Sequence, residues 1–251
     1  MAMGLTTPTP ISRGEFGVVG ARRLLATLAR RGIASTWFIP GHTLDTYPDV
    51  CEEIHDAGHE VAHHGYDHIS PVGLDRAAEL DQLRRGNDAI ERVTGTRARG
   101  YRSPAWDLSS RSVELLLDEG FSYDSSMMAH DYLPYRARTG DHIVAGEPVR
   151  FGEETDLLEL PISWSLDDFP HFEYFRGAGL HAATGVLENW LEDYSYMIEN
   201  EPGGVITYTC HPFVIGRGHR MRVLERLIDT LLDRDATFVT AEQAVAALTP
   251  G

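Results

Sequence analysis

Short apolar runs alternate with helical segments along the first half of the chain, and this order constrains the fold most strongly. Apolar residues recur at helical spacing in residues 20–31, 48–57, 74–94 and 109–119. The runs between these segments are rich in β-branched or aromatic residues, and they cover residues 34–39, 59–63, 100–102 and 121–124. The order predicts parallel βα units, in which the carboxyl ends of the strands meet on one face.

The second half keeps this alternation after one interruption. Residues 128–175 are rich in Tyr, His, Asp, Pro and Trp without a long period, which predicts loops and short hairpins. Beyond them we expect a helix at 184–200, a strand at 205–209, a helix carrying the apolar residues from Val223 to Leu231, a strand near 237–239 and a helix at 241–248. The predicted fold class is α/β.

Composition limits the kind of protein. A chain of 251 residues, 42% hydrophobic and 24% charged, fits a single domain, residues 1–251, with its own core. The formal charge of -16 would repel a phosphate backbone, so a nucleic-acid partner is not expected. The sequence shows neither an apolar run of roughly eighteen residues nor an apolar leader in residues 1–13, which predicts a soluble cytoplasmic protein without a membrane partner. Cys51 and Cys210 are expected to be reduced.

The segment HEVAHHGYDH, residues 59–68, carries the strongest local signal. His64 and His68 are four residues apart, so on one turn of backbone their imidazoles share a face and reach one metal ion, with zinc the first expectation. The alternative is a pair of partly exposed surface histidines. His59 and His63 are interpreted as packing residues or as partners of the ligands.

A second group, YRSPAW, follows the strand predicted at 100–102. Arg102 could orient a carboxylate base or stabilise charge, and Trp106 offers a flat apolar wall. The alternative interpretation is a surface arginine beside a core tryptophan.

Two further groups lie late in the chain. His211 follows an apolar strand pattern and is placed to protonate a leaving amine as a general acid, or to serve a structural role at the strand end. Trp164 lies in the strand-like run of residues 159–168 and could form the wall of a sugar or ring site, while Asp167 or Asp168 could anchor a base or an arginine. Packing of Trp164 and solvation of the two acids are the alternatives.

Taken in order, HGYDH, YRSPAW, LPISW and CHP resemble the polysaccharide-deacetylase family, also called the NodB-like or carbohydrate esterase family 4 domain. TWFIPGHT and CHPFVIGRGHR are similar to a cytoplasmic subgroup of peptidoglycan-deacetylase-like or cyclic-imidase-like proteins. The resemblance runs from Ser12 onward. It implies a distorted (β/α) barrel and metal-assisted hydrolysis of a carbon–nitrogen bond other than a peptide bond.

The resemblance also implies roles for single residues. His64 and His68 match ligands of a divalent metal, usually zinc; Arg102 matches the residue that tethers the base, and His211 the general acid. Trp106 and Trp164 match positions that line the substrate groove. Relatives in the subgroup often form tetramers, so a homo-oligomer is expected.

One family motif is missing from the pattern. The family's first strand ends in Asp-Asp or Asp-x-Asp, which supplies the third ligand and the base, whereas residues 1–11 contain no Asp or Glu. We therefore expect a barrel that lacks its first strand. A chain that begins late and a natural variant without activity both explain this, and the four intact motifs favour a late start.

Three functions remain open from the sequence. The first is removal of N-acetyl groups from an amino sugar or a peptidoglycan fragment, which belongs to carbohydrate metabolism. The second is hydrolysis of a small cyclic imide or ureide such as an allantoin-like ring, which would suit a compact aromatic pocket. The third, from another class, is an inactive homologue that binds metal or carbohydrate.

Overall fold

The computed structural model describes residues 8–174 and 180–248. Residues 1–7, which begin the segment without acids, and Phe175, the end of the predicted loop region, lie outside the described residues. The chain divides into two compact units, residues 1–34 with 162–239 and residues 35–161 with 240–251. We call them the first and the second unit, and the single-domain organisation stays a prediction.

Ten α-helices and six strands form the described part of the chain. The helices are α1 (Pro8–Ala29), α2 (Gly41–Thr46), α3 (Pro48–Asp56), α4 (Arg76–Thr94), α5 (Ser112–Asp118), α6 (Asp168–Phe172), α7 (Ala183–Asn200), α8 (Pro212–Ile215), α9 (Gly218–Leu232) and α10 (Ala241–Leu248). The strands are β1 (Thr36–Ile39), β2 (Glu60–His63), β3 (Gly100–Tyr101), β4 (Tyr123–Asp124), β5 (Tyr135–Thr139) and β6 (Glu153–Glu159). No helix of this described part is long and apolar enough to cross a membrane.

All six strands belong to the second unit and form one sheet in the order β1-β2-β3-β4-β6-β5. Neighbouring strands are parallel from β1 to β6, and only β5 pairs antiparallel, with β6. Helices α3, α4 and α5 each follow one strand and precede the next, as the alternation of the sequence predicts. The carboxyl ends of five strands therefore lie at one edge of the sheet.

Helix α4 of the second unit begins and ends at residues that favour helix termini. Asp75 caps its start by accepting a hydrogen bond from the N–H of Ala78 at 2.8 Å. Gly95 ends it in a left-handed conformation, with φ of 75°, that costs glycine little. The apolar face of α4 packs on the sheet in a core made mainly of Leu83, Tyr101, Val113, Leu115, Leu116, Phe121, Ala137 and Leu157.

The first unit is built from α1 and α6 to α9. Its buried residues come chiefly from α7 (Val186, Leu187, Trp190, Tyr194 and Met197) and from α9 (Val223, Leu224, Leu227, Ile228 and Leu231). Helix α1 contacts the short helix α8 at Gly20, where an added Cβ would lie 1.9 Å from the backbone oxygen of Pro212. Only glycine allows the two backbones to approach so closely.

Two strands expected in the first unit are absent, so these predictions were wrong. Residues 205–209 form no regular strand, and Thr209 makes a single parallel bridge with Asp167. The bridge cannot grow into a ladder because Asp167 caps α6, where the partner chain turns into a helix. Residues 237–239 are irregular as well, since β-branched residues favour a strand only where a neighbouring strand accepts their hydrogen bonds.

The region from 128 to 175 is partly as predicted. Strands β5 and β6 form the expected hairpin, but β6 is seven residues long and pairs in parallel with β4, so it belongs to the main sheet. The prediction of a strand at residues 159–168 was wrong beyond Glu159. It becomes a 3-10 turn at Trp164–Leu166 and then α6, because the side chains of Ser163 and Asp167 cap these two turns.

Candidate functional site

Polar side chains follow the parallel strands at the carboxyl edge of the sheet. His64 comes directly after β2 and Arg102 directly after β3. Asp124 ends β4, and Glu159 ends β6. In open parallel sheets this edge is where ligands bind.

His64 and His68 lie side by side in the second unit. Their ring centroids are 4.8 Å apart, and the rings meet at 70°. His64 Nδ1 lies 2.6 Å from the backbone oxygen of Arg102 and donates to it, so Nε2 keeps the lone pair that a metal requires. His64 is half-buried and His68 is exposed.

The backbone that brings the two rings together is a loop and not the helical turn expected from their spacing. Gly65 and His68 both adopt the left-handed region, with φ of 69° and 56°. The side-chain oxygen of Gln82 on α4 accepts hydrogen bonds from the N–H groups of Tyr66 and Asp67 at 3.2 and 2.8 Å. A loop held by Gln82 therefore sets the distance between the two rings. The i, i+4 rule for helices does not describe such a loop.

The pair offers two imidazole nitrogens, which suit zinc and other borderline metals. Asp67, between them in sequence, accepts from Gln82 Nε2 at 3.0 Å and lies 3.8 Å from Arg85, so its carboxylate is already paired. Among the described residues of the second unit, no third His, Cys, Asp or Glu joins the pair in a compact ligand group. The two nitrogens fit a metal site with positions left for other ligands.

Arg102 is buried, contrary to the surface interpretation. Its Nε donates to the backbone oxygen of Ser125 at 2.9 Å, and a terminal nitrogen donates to the Ser125 hydroxyl at 2.7 Å. The guanidinium carbon lies 4.2 Å from the centroid of the Phe38 ring. These contacts hold Arg102 rigidly at the strand end, which is what a charged group that orients another residue requires.

His59 and His63 pack as expected. His63 is fully buried, donates from Nε2 to the oxygen of Leu83 at 2.9 Å and accepts the N–H of Gly65 at 3.1 Å. Burial lowers the pKa of His63 to about 4, so its ring is neutral. His59 accepts the N–H of Ser35 at 3.1 Å, and burial lowers its pKa too.

The two tryptophans differ in exposure. Trp106, in the second unit, is only 9% exposed, which agrees with a core tryptophan, and it follows Ala105 with both residues at φ of 58°. Trp164, in the first unit, is 44% exposed, so the interpretation as a packed side chain was wrong. An exposed ring on a short capped turn is available for stacking.

In the first unit, His211 forms a close dyad with Asp168. The carboxylate of Asp168 accepts from His211 Nδ1 at 2.7 Å and from the His211 backbone N–H at 2.9 Å. Asp168 is fully buried, which raises its pKa, while the hydrogen bonds from His211 oppose this rise. Since Nδ1 donates to Asp168, Nε2 is the nitrogen that can exchange a proton.

Asp167 lies beside this dyad. It caps α6 through the N–H of Phe169 at 2.7 Å and lies 3.6 Å from His211 Nδ1. Ligand atoms of Asp167, Asp168 and His211 fall within 4.8 Å of one another, so they could hold an ion. Both oxygens of Asp168 already bind His211, which favours an oriented imidazole over a metal site. The pairing of Asp168 with His211 was not predicted from the sequence, although two acids after an apolar run were a signal.

Comparisons with known proteins place this chain in a family. The model of the polysaccharide deacetylase family matches residues 18–123. A peptidoglycan deacetylase of Helicobacter pylori is 34% identical over 241 residues, 90% of this chain and 82% of the relative. The chain belongs to the polysaccharide deacetylase family.

Solved structures agree with this membership. A Mycobacterium smegmatis protein assigned to the polysaccharide deacetylases is 33% identical, with a TM-score of 0.80 over 94% of this chain and 79% of that one. An allantoinase has a TM-score of 0.81 over 97% of this chain and 76% of its own, but at 22% identity it shows the fold alone.

These findings confirm the predicted family, the α/β fold of the NodB-like type and the reaction class. The family hydrolyses carbon–nitrogen amide bonds other than peptide bonds and depends on a metal in general. The site residues, the identity of the metal and the substrate remain predictions.

Proposed function

We propose that this polysaccharide deacetylase removes N-acetyl groups from an amino sugar or a peptidoglycan fragment, with His64 and His68 as ligands of a zinc ion. The observation that carries the proposal is the ring pair 4.8 Å apart whose first member donates Nδ1–H to the oxygen of Arg102. When the second ring N–H of a metal-ligating histidine donates to a backbone carbonyl, this hydrogen bond fixes the tautomer. It also makes the other nitrogen a better metal ligand. A bound divalent ion would supply Lewis-acid polarisation of the amide carbonyl and would acidify water.

The residues of this chain then have separate roles. Arg102, held by Ser125 and Phe38, orients the base or stabilises developing charge. His211, oriented by Asp168, carries at its Nε2 the proton that the leaving amine takes up. Trp106 and Trp164 take the substrate-binding roles that the family resemblance implies for them, and the ring of Trp164 is exposed.

A hydrolysis assay tests the proposal directly. The wild-type chain, loaded with zinc, is incubated with a tetramer of N-acetylglucosamine and separately with a small cyclic imide and with allantoin, and released acetate or ring-opened product is measured. We expect acetate release from the sugar and no ring opening. Ring opening without acetate would support the cyclic imide or ureide alternative, and turnover of none of the three substrates would support the inactive homologue.

The controls are variants at each group. His64→Ala with His68→Ala should abolish turnover and zinc binding together. His211→Asn should lower turnover by about 10²–10⁴-fold and leave zinc binding unchanged, because a general acid contributes to the chemical step alone. Loss of zinc binding in His211→Asn, or full turnover in the double variant, would contradict these roles.

The proposal also covers the metal, the location, the oligomeric state and the substrate class. Zinc is favoured over other divalent ions by the two imidazole donors. A cytoplasmic location and a tetramer follow from the subgroup that the motifs resemble. An amino-sugar or small-molecule substrate, with neither nucleic acid nor membrane as a partner, fits the net charge of -16.

A further inference from the structure

Two buried carboxyl groups face each other at the carboxyl edge of the sheet. Asp124 on β4 and Glu159 on β6 are partners in register, and both are fully buried. Glu159 Oε1 accepts the backbone N–H groups of Ser126 and Met127, each at 2.7 Å. Asp124 Oδ1 accepts the hydroxyl of Ser126 at 2.7 Å. One oxygen of each carboxyl group thus accepts hydrogen bonds.

The other two oxygens, Asp124 Oδ2 and Glu159 Oε2, receive no hydrogen bond from any other group of the described chain. Asp124 and Glu159 are partners in register, so the two carboxyl groups are neighbours, and the charge of Asp124 raises the pKa of Glu159. Two carboxylates have no hydrogen to share, so a hydrogen bond between these oxygens requires that one of the pair be protonated. A single proton between Oδ2 and Oε2 satisfies both atoms.

The surroundings favour this singly protonated state. Burial raises the pKa of Asp124 to about 6, and burial together with the neighbouring Asp124 raises the pKa of Glu159 well above its usual range. Arg102, at the end of β3, is the cation facing the pair and lowers the pKa of Asp124. Among the described residues, Tyr101 on β3 and Tyr135 on β5 also interact with the pair, and burial raises the pKa of both, so they stay neutral.

The pair is connected to the candidate site through a short loop, residues 125–127. Ser126 Oγ donates to Asp124 and accepts the N–H of Ser103 at 2.8 Å. Ser125 accepts two hydrogen bonds from the Arg102 guanidinium, and its own hydroxyl donates to the oxygen of Leu160 at 2.9 Å. The loop is therefore fixed by the carboxyl pair on one side and holds Arg102 and Ser103 on the other.

We propose that Asp124 and Glu159, sharing one proton, are positioning residues that hold the 125–127 loop in place and so seat Arg102 and the carbonyl group that orients His64. The proposal rests on the roles proposed above for Arg102 and His64. Neither acid touches substrate or metal in this account. They act through Ser125 and Ser126.

Loss of the shared proton should undo this arrangement. The folded chain holds the proton up to a higher pH than the unfolded chain does, where both acids have ordinary pKa values near 4. Between the pKa values of the unfolded acids and the raised pKa of the folded pair, the folded state binds more protons than the unfolded state. The free energy of unfolding therefore falls as pH rises through this range. Above it, two adjacent negative charges repel each other and displace the loop.

Glu159→Gln tests the shared proton without removing the contacts. Its amide oxygen can accept the two backbone N–H groups, and its amide N–H₂ can donate to Asp124 Oδ2, as protonated Glu159 does. Asp124→Asn is the reciprocal variant. Glu79→Gln is the matched control, because Glu79 is a buried carboxylate of the same unit that accepts two serine hydroxyls, at 2.7 and 2.5 Å, and shares no proton with another acid in those contacts.

The readout is the Nε–H resonance of Arg102 in nitrogen–proton correlation spectra, assigned by its loss in Arg102→Lys. In the wild type and in Glu79→Gln we expect this resonance to shift as the pH rises through the raised pKa range in which the pair loses its proton. In Glu159→Gln it should stay in place over the same range. A constant wild-type resonance, an equal shift in Glu159→Gln, or a Glu159→Gln chain and an Asp124→Asn chain that both fail to fold would overturn the proposal.

Turnover of the N-acetylglucosamine tetramer provides a second readout. We expect the alkaline loss of wild-type kcat to move to higher pH in Glu159→Gln, with KM unchanged. An identical kcat profile in both proteins would contradict the positioning role. A wild-type chain without turnover contradicts the proposed function instead, and the Arg102 resonance then decides the role of the pair by itself.

Discussion

Nδ1 of His64 lies 2.6 Å from the backbone oxygen of Arg102, so the end of β3 fixes the tautomer of the histidine that follows β2. The two residues are 38 positions apart in sequence and become neighbours because β2 and β3 pair in parallel. The same segment that fixes the histidine also holds the guanidinium of Arg102 against Ser125 and Phe38. The structural and the proposed catalytic roles of this strand end are therefore coupled.

Arg102→Lys should lower the free energy of unfolding by about 2 kcal/mol. Lysine cannot reproduce the two hydrogen bonds to Ser125 or the contact of the planar guanidinium with the Phe38 ring. Urea unfolding at neutral pH measures the change. Arg99→Lys, at an exposed position, is the control and should change stability by less than about 0.5 kcal/mol. Equal effects at the two positions would refute the role of the buried contacts.

Asp168→Asn should reduce kcat for N-acetyl sugar hydrolysis by about 10²–10⁴-fold, with KM nearly unchanged. Asparagine either presents an N–H group to His211 Nδ1 or turns its oxygen away from the backbone N–H, so the imidazole loses its orientation. The control is Asp167→Asn, whose amide oxygen can still cap α6, and we expect its kcat to stay within about tenfold of the wild type. Wild-type kcat in Asp168→Asn would show that the dyad has no part in turnover.

Gly20→Ala should destabilise the chain by roughly 1–3 kcal/mol, because its Cβ would lie 1.9 Å from the oxygen of Pro212 and α1 would have to move. Gly17→Ala, on the same helix with nothing within 4 Å of the added Cβ, should stabilise it by about 0.5–1 kcal/mol. Thermal unfolding of both variants gives the comparison. Changes of the same sign would mean that α1 does not pack on α8 as described.

Both cysteines should be unreactive in the folded chain. Burial raises the pKa of Cys51 to about 12, so at pH 8, four units lower, about one thiol in 10⁴ is ionised. Burial and the nearby acids Asp167 and Asp168 raise the pKa of Cys210 as well. A colorimetric thiol reagent should detect both thiols in urea and neither within minutes in native buffer. Rapid modification of Cys51 in native buffer would show that its unit opens, because this thiol is buried.

Strand and helix periodicity predicted most of the second unit. The β-branched runs that became β1 to β4 and the helical spacing of α3 to α5 were sufficient because β1, β2 and β3 each pair with the next strand in sequence. The strands expected at 205–209 and 237–239 failed because a strand needs a partner, which local propensity does not supply.

The candidate site was predictable in its residue types more than in its geometry. His64, His68, Arg102 and His211 stand at strand or loop ends, where the motifs indicated chemistry. The Asp168 and His211 dyad and the Asp124 and Glu159 pair were not predicted, because each joins residues more than thirty positions apart. Such contacts depend on strand register and loop conformation, which no local pattern encodes.

A calorimetric zinc titration of the wild-type chain, beside the variant that carries His64→Ala and His68→Ala, tests directly whether these two histidines bind the metal. We expect one zinc per chain in the wild type, and loss of that binding in the double variant. Cys51→Ser is a suitable control, since this buried thiol should contribute nothing to the binding. Zinc binding of equal strength in the wild type and the double variant would contradict the assignment of the two histidines as the metal site.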